Sequence, residues 1–271
     1  MITMSVKIGF IGAGNMASAM IGGIIANGLY TKDEVVACAP SASTRNKVSA
    51  KYGIKVYGTA AEVVRLTDFI VLSVKPNQLQ DLFAEDGLKF DDSHLVMSIV
   101  AGVKIATLEA YVPDSRIVRV MPNHCCLAGE GAAGYSRGSK ATDRDMERVR
   151  DVLSSSGIAE EVKESDLDAV TGIAGSSTAF MYMVIDAMAD GGVLCGLPRE
   201  KAIRLAAQSM LGSAKMVLKT GEHPDKLKDS VCSPGGTTIE GVRVLEDSCI
   251  RAAFIAAVEA STVKSREMGR K

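Results

Sequence analysis

The sequence predicts an α/β fold: a doubly wound parallel sheet in the N-terminal part, followed by an all-helical C-terminal part. Three observations carry this. Short apolar runs alternate with helix-like segments from residue 7 to residue 121, a glycine-rich turn directly follows the first run, and strand-like runs largely disappear after residue 165.

The elements follow in order. Strands are expected at residues 7–11, 35–39, 55–57, 69–74, 95–99 and 117–121, with weaker runs at 132–135 and 161–163. Helix-like segments at 16–27, 44–52 and 77–83 lie between the early strands, as parallel crossovers require. Ser165 followed three residues later by Asp168 reads as a helix N-terminus. Pro198 suits a helix first turn, Gly221 a helix stop and Pro224 another start. Gly235-Gly236 precedes a last long helix rich in Ala and Val. The expected organisation is a nucleotide domain over residues 1–165 and a helical domain over 166–271. No internal repeat or low-complexity linker separates them.

The composition narrows the function. Among 271 residues, 31 basic and 32 acidic side chains leave a net charge of -1, which disfavours nucleic acid and anionic membranes as partners. The absence of Trp and an aromatic content of 4% disfavour base stacking. Residues 8–31 carry no charge and follow Lys7, imitating a membrane anchor. That run, however, includes Gly9, Gly12, Gly14, Gly22, Gly23 and Gly28, a poor lipid-facing surface, so no membrane span is expected. The six cysteines form no CxxC pair and there are only 3 His, so no metal site is expected. Cys125 and Cys126 are adjacent, a poor arrangement for a disulfide, and incidental thiols in a reducing cytoplasm are expected.

Gly12-Ala13-Gly14-Asn15-Met16-Ala17 fits GxGxxA in the required context, after a strand and opening a helix. Gly12 allows the tight turn, Gly14 lets the backbone approach a pyrophosphate, and Ala17 keeps helix and strand close. The first domain is therefore Rossmann-type, with a nicotinamide dinucleotide as the expected ligand. NAD-binding versions usually end the second strand with an acid that holds the ribose hydroxyls. Here that end reads Val36-Ala37-Cys38-Ala39-Pro40-Ser41, followed by Ser43, Thr44, Arg45 and Lys47. Hydroxyls and cations suit a 2′-phosphate, so NADPH is the preferred cofactor, with NADH as a second. Arg45 and Lys47 also fit a plain solvated helix face.

The second domain has a glycine-rich turn at residues 172–177, where 3-hydroxyacid dehydrogenases place a catalytic Lys nearby. No Lys, Arg or His occurs between Lys163 and Arg199, which disfavours that chemistry. A second glycine loop, Cys232-Ser233-Pro234-Gly235-Gly236-Thr237-Thr238, precedes the last helical stretch. Its exposed amides suit a carboxylate and its hydroxyls a substrate nitrogen, although a plain helix cap would look the same.

Residues 227–246, LKDSVCSPGGTTIEGVRVLE, resemble the signature of pyrroline-5-carboxylate reductases. Further matches run in order along the chain at residues 9–16 (GFIGAGNM), 73–76 (SVKP), 101–102 (AG), 119–123 (RVMPN), 168–172 (DAVTG), 189–193 (ADGGV) and 259–260 (EA). The resemblance implies NAD(P)H-dependent reduction of 1-pyrroline-5-carboxylate to L-proline, the last step of proline biosynthesis. It implies that Ile11, Gly12, Ala13, Gly14, Asn15 and Met16 hold the pyrophosphate. Ala39 and Ser41 fall at the adenosine end, and Ser73, Val74, Lys75, Pro76, Ile99 and Ala101 border the cofactor. Ser233, Gly235, Gly236, Thr237 and Thr238 would hold the imino acid, with Thr238 near the ring nitrogen as the catalytic candidate and Glu164 lining the same site. The helical domain would be a dimerisation domain, its dimers assembled into a larger homo-oligomer.

The low His count fits this chemistry. A protonated imine is already an electrophile, so positioning and electrostatics matter more than a strong side-chain acid. The chain departs from the family pattern at several places. The family usually reads GSGPAF or GSGPAY where residues 175–180 are GSSTAF, and Thr-Pro where His124-Cys125 stands. Ser230 and Ala60 replace common Asn residues. A more polar substrate pocket follows, which raises two alternatives: a paralogue reducing another cyclic imino acid, or a catalytically silent NADP-binding sensor.

Overall fold

The computed structural model describes residues 6–269. Eight strands form one sheet: β1 (Ile8–Ile11), β2 (Val35–Cys38), β3 (Lys55–Tyr57), β4 (Phe69–Leu72), β5 (Leu95–Ser98), β6 (Arg116–Met121), β7 (Gly131–Arg137) and β8 (Gly157–Glu161). Their spatial order is β3-β2-β1-β4-β5-β6-β7-β8. The first six are parallel. β7 runs antiparallel to β6, and β8 is parallel to β7. Among the described residues β1, β2, β4 and β5 are buried throughout, as expected of strands covered on both faces.

The intervening helices are α1 (Asn15–Ala26), α2 (Ala42–Tyr52), α3 (Ala60–Val64), α4 (Leu79–Phe83), α5 (Ile105–Tyr111), α6 (Asp143–Ser154) and α7 (Leu167–Val170). One apolar cluster joins Ile8, Phe10 and Val118 of the sheet to Met20, Ile21 and Ile24 of α1 and to Val149 and Val152 of α6. The other joins Ile11, Ile70 and Val96 to Val63 of α3 and Leu108 of α5. The sheet is thus wound on both faces, with α1 and α6 on one and α3 and α5 on the other. Arg148 of α6 reaches the start of β4, where it makes two hydrogen bonds to Asp68 (2.9 and 3.0 Å) and covers the Phe69 ring. Those bonds hold the Asp68 carboxyl below its ordinary pKa.

The helical part comprises α8 (Ser177–Leu194), α9 (Arg199–Thr220), α10 (Pro224–Val231), α11 (Thr237–Asp247) and α12 (Ile250–Met268). Two compact units emerge, one running up to Gly175 and rejoined from Ser261 onward, the other Ser176–Ala260. The division expected at residues 165–166 thus differs from that of the compact units by ten positions, and the C-terminal turns of α12 return to the first unit. There Ser265 Oγ donates to Asp168 at 2.6 Å, and Gly269 lies against the Gly102 carbonyl.

In the second unit α8 and α9 approach closely enough that a Cβ at Gly192 would sit 3.1 Å from the Ala202 Cβ. Only Ala189, Ala202 and Ala206 are buried in that unit among the described residues. Tyr182, Met183, Leu194, Leu205, Leu218, Val244 and Ile255 are exposed, so this unit holds large apolar faces without an apolar core of its own. Among the described residues no helix is long and apolar enough to cross a membrane.

Three local expectations need correction. The last strand is Gly157–Glu161, not residues 161–163, because Gly157 pairs with Gly131 and that register ends at Glu161. Ser165 does not cap a helix: it lies inside a 3₁₀ turn, Glu164–Asp166, with its hydroxyl on the Asp166 carboxylate at 3.1 Å. The stretch after Gly236 is two helices, not one, because Cys249 adopts φ 55° and breaks the ladder.

The β7–β8 pairing rests on a close backbone contact. Gly157 has φ 153°, and a Cβ there would lie 1.9 Å from the Gly131 carbonyl oxygen. Backbone in a paired strand cannot move aside, so Gly157→Ala is expected to cost about 3 kcal/mol or more. A urea titration following helical signal measures this; a wild-type midpoint would mean that the contact does not constrain the edge of the sheet.

Candidate active site

β1 ends at Ile11, and the chain turns at Gly12 with φ 95°. The Gly12 N–H donates to the Cys38 carbonyl at the end of β2 (3.1 Å), and a Cβ on Gly12 would lie 2.7 Å from the Ser73 carbonyl oxygen beyond β4. Ser73 secures the turn: its Oγ is 2.9 Å from the Ile11 carbonyl and 2.8 Å from that of Gly12. Gly14 then caps α1 without a side-chain partner, and the first turn of α1 contains no acid. The opening amides of α1 therefore keep their hydrogen-bonding capacity. A Cβ on Gly14 would meet nothing within 4 Å, so the approach to those amides is open. A helix N-terminus with free amides and a bare backbone in front of it fits a pyrophosphate.

A cavity of about 550 Å³ opens beside this turn at the carboxyl ends of β1, β2 and β4. Ile11, Gly12, Ala13, Gly14, Ala39, Ser41, Ser73, Val74 and Lys75 all line it. Asn15 instead faces a neighbouring cleft of about 440 Å³, shared with Ser18, Lys47 and Lys51. Met16, Pro76, Ile99 and Ala101 are not on the wall of the larger cavity. The Met16 Sδ meets the Cys126 Sγ at 3.4 Å, and Pro76 opens a 3₁₀ turn, Pro76–Gln78. Ile99 continues the β5 edge through an N–H bond to Leu72 (3.0 Å), and Ala101 is exposed just beyond it.

The cavity wall also includes Cys38, Pro40, Thr44, Gly58, Ala60, Gln78, Asp81, Leu82 and Glu85. Residues from α4 were not legible as lining, since nothing in their local pattern marks them. The one available signal was position, just past the end of β4 at the point where strand order reverses. Gln78 receives the Lys75 N–H at 3.0 Å, and Glu85 receives the Ala61 N–H at 3.3 Å. Burial pushes the Cys38 thiol up to about 11, so it stays protonated at neutral pH and forms part of the wall.

At the end of β2, Arg45 folds back over the strand. Its Nη1 donates to the carbonyls of Ala39 (2.9 Å) and Pro40 (2.6 Å). Ser41 and Ser43 hydroxyls lie 2.8 Å apart on the same rim. Arg45 is thus fixed to the loop, whereas Lys47 is exposed along the smaller cleft.

Glu164 belongs to the first unit. Its Oε1 accepts from the Ile105 N–H (2.7 Å) and from Arg119 Nη1 (3.0 Å), so it caps α5 and pairs with β6. The cleft beside it, about 390 Å³, is bordered by Gly102, Lys104, Ser165, Asp168 and Arg266.

The second glycine loop belongs to the other unit. Gly235 has φ 65°, and the Gly236 N–H closes the turn onto the Ser233 carbonyl at 3.0 Å. Gly236 caps α11 without a side-chain partner. Thr237 is exposed and Thr238 half-buried, and neither hydroxyl has a partner among the described residues. The first-turn acid of α11, Glu240, is directed to Arg243 at 3.2 Å. The loop therefore presents free amides and two free hydroxyls, a donor set suited to a carboxylate beside a nitrogen.

Comparison with known proteins bears on both loops. The model described as "Pyrroline-5-carboxylate reductase dimerisation" matches residues 164–268, and that described as "NADP oxidoreductase coenzyme F420-dependent" matches residues 7–102. The pyrroline-5-carboxylate reductase of Methanosarcina acetivorans is 45% identical over 98% of this chain and 98% of its own length. The chain belongs to the pyrroline-5-carboxylate reductase family. The Escherichia coli member is 41% identical over 98% of this chain and 100% of its own. Among solved structures, the Plasmodium falciparum pyrroline carboxylate reductase with NADP bound aligns at TM-score 0.85 and 35% identity, covering 97% of this chain and 98% of that one. The Coxiella burnetii reductase aligns at TM-score 0.91 and 30% identity over the same shares. The expected fold class, a Rossmann-type sheet followed by a helical domain of the family's dimerisation type, is the one found, in an NAD(P)-dependent oxidoreductase family.

Gly14→Val separates binding from folding. The new side chain has room in the folded chain but projects toward the cavity. Its unfolding free energy should stay within about 1 kcal/mol of wild type, while the Kd for NADPH, followed by fluorescence, rises at least about tenfold. Wild-type affinity would remove the turn from the dinucleotide site.

Proposed function

We propose that this chain reduces 1-pyrroline-5-carboxylate to L-proline with NADPH, serving proline biosynthesis. The observation that carries the reading is the pair of glycine turns, each placing a helix N-terminus with uncapped amides where a ligand anion fits. The turn at Gly12–Met16 would hold the dinucleotide pyrophosphate, and the loop at Ser233–Thr238 the substrate carboxylate. Family membership at 41–45% identity over nearly the full chain supports both assignments.

The chain's own groups bind and orient. The amides of α1 and Ser41 at the β2 rim hold the cofactor, while Ser73 fixes the turn between them and Val74, Lys75, Ile99 and Ala101 border it. The Gly236 N–H closes the turn onto Ser233, and the amides of Thr237 and Thr238 that it exposes hold the substrate carboxylate, which sets the ring's orientation. The Thr238 hydroxyl hydrogen-bonds the ring nitrogen. A bound nicotinamide supplies the hydride. Since the protonated imine carries its own positive charge, the site needs fixed dipoles and correct placement more than a strong acid. Glu164, already committed to Ile105 and Arg119, acts by shaping the β6–α5 edge.

Preference for NADPH over NADH rests on the β2 rim. Ala39 stands where a ribose-binding acid would be, and Ser41, Ser43, Thr44 and Arg45 surround that position. The exposed apolar faces of residues 176–260, together with the family's dimerisation domain, support a homodimer assembled into a larger homo-oligomer. Exposed thiols at Cys195 and Cys249 favour the cytoplasm as compartment.

Two experiments test this. Purified protein given 1-pyrroline-5-carboxylate should oxidise NADPH with a kcat/KM at least about tenfold above that for NADH, as expected for charge-assisted bonds to a 2′-phosphate. No turnover with either cofactor would end the proposal. Thr238→Ala should lower kcat about a hundredfold, the scale of losing one oriented hydrogen bond to the reacting group, with the KM for NADPH within about twofold. Unchanged kcat would take Thr238 out of the mechanism.

A further inference from the structure

The cleft beside Glu164 is built entirely by the first compact unit, between the start of α5, β6, the turn before α7 and the end of α12. It shares no lining residue with the dinucleotide cavity or with the Ser233–Thr238 loop. At about 390 Å³ it has the volume of a site for a small organic molecule. Its walls are mostly charged, which suits a polar ligand rather than an apolar one.

Pairing among those charges is incomplete. The Arg119 side chain is only 12% exposed, yet of its five N–H donors one alone meets a protein acceptor, Glu164 Oε1 at 3.0 Å. A guanidinium so far withdrawn from water needs acceptors for the rest, and the cleft is where they can come from. Lys104 and Arg266 are exposed on the rim, and neither side chain has a partner among the described residues. Asp168 accepts from the Ser265 hydroxyl through Oδ1 at 2.6 Å, and its Oδ2 has no partner among the described residues. With Arg119 set against Glu164, two cations and one carboxylate remain. That set is the inverse of a molecule with two carboxylates and one ammonium group.

We propose that this cleft binds an acidic α-amino acid. Lys104 and Arg266 take its two carboxylates, the open N–H groups of Arg119 add charge-assisted bonds to one of them, and Asp168 Oδ2 takes the ammonium group. A plain dicarboxylate would set its extra negative charge against Asp168, and a neutral amino acid would leave one rim cation unmatched. Because Lys104 precedes α5 and Arg266 lies in the last turn of α12, the ligand ties the end of the chain to the sheet and stabilises that docking by mass action. The site does not depend on the proposed reduction of 1-pyrroline-5-carboxylate.

Titration calorimetry on the full chain, with L-glutamate, glutarate and L-glutamine as probes, tests this. Glutarate lacks the ammonium group and L-glutamine the second carboxylate. L-Glutamate should bind with a Kd at least about tenfold below that of either. Lys104→Gln and Arg266→Gln remove exposed side chains that fold without a partner, and each should raise the L-glutamate Kd at least about tenfold. Asp168→Asn should weaken L-glutamate but not glutarate. The Kd for NADPH should stay within about twofold of wild type throughout, which reports an intact fold. No heat with L-glutamate, a wild-type Kd in either rim variant, or glutarate or L-glutamine binding as tightly as L-glutamate overturns the proposal.

Discussion

The close passage of the chain at Gly12 governs the first unit. Against the Ser73 carbonyl there is no room for a side chain while the Gly12 N–H is held by Cys38, and Ser73 locks the turn by bridging two carbonyls of the β1 end. Because the backbone turns there, α1 starts with its amides facing the carboxyl ends of the strands. The strand order reverses at the same place, with β2 and β3 on one side of β1 and β4 to β6 on the other. Crossover connections therefore leave in opposite directions and open a crevice. The cavity is a consequence of topology, and the glycine turn leaves open space before the α1 amides at its wall.

The chain builds two helix starts with uncapped amides in different surroundings. α1 buries Ala17, Met20, Ile21 and Ile24 against the sheet, so its N-terminus is fixed by a packed core. α11 has no buried residue, and ion pairs such as Arg251 with Asp225 and Glu246 link the neighbouring helices. Exposed ion pairs contribute little, so they cannot replace a core. In the proposed assembly a second copy supplies the missing apolar contact. The α11 helix start would then owe its rigidity to association, whereas the α1 start owes it to folding.

Much of the proposed site is local in sequence. The turn at Gly12 and Gly14, the missing acid after Cys38, and the loop at Ser233–Thr238 all lie within contiguous stretches whose chemistry is local. Gln78, Asp81 and Glu85 were not legible, because α4 and the residues flanking it join the cavity only through the β4 crossover. Resemblance singled out Glu164, but its two partners, Ile105 and Arg119, were not legible. The register of β8 also escaped, since the Gly131–Gly157 contact depends on a strand that is distant in sequence.

The sequence by itself determined the alternation of strand and helix, the glycine turn after β1 and the change to helices in the second part. Each follows from periodicity, glycine conformation and capping over a few residues. Tertiary structure alone decided which groups meet. Arg45 folds onto the β2 carbonyls, Glu164 reaches Ile105 across 59 positions, and Asn123 reaches the Ala174 carbonyl across 51. Such contacts depend on which buried donors and acceptors remain unpaired once the sheet has formed, and local sequence does not record that.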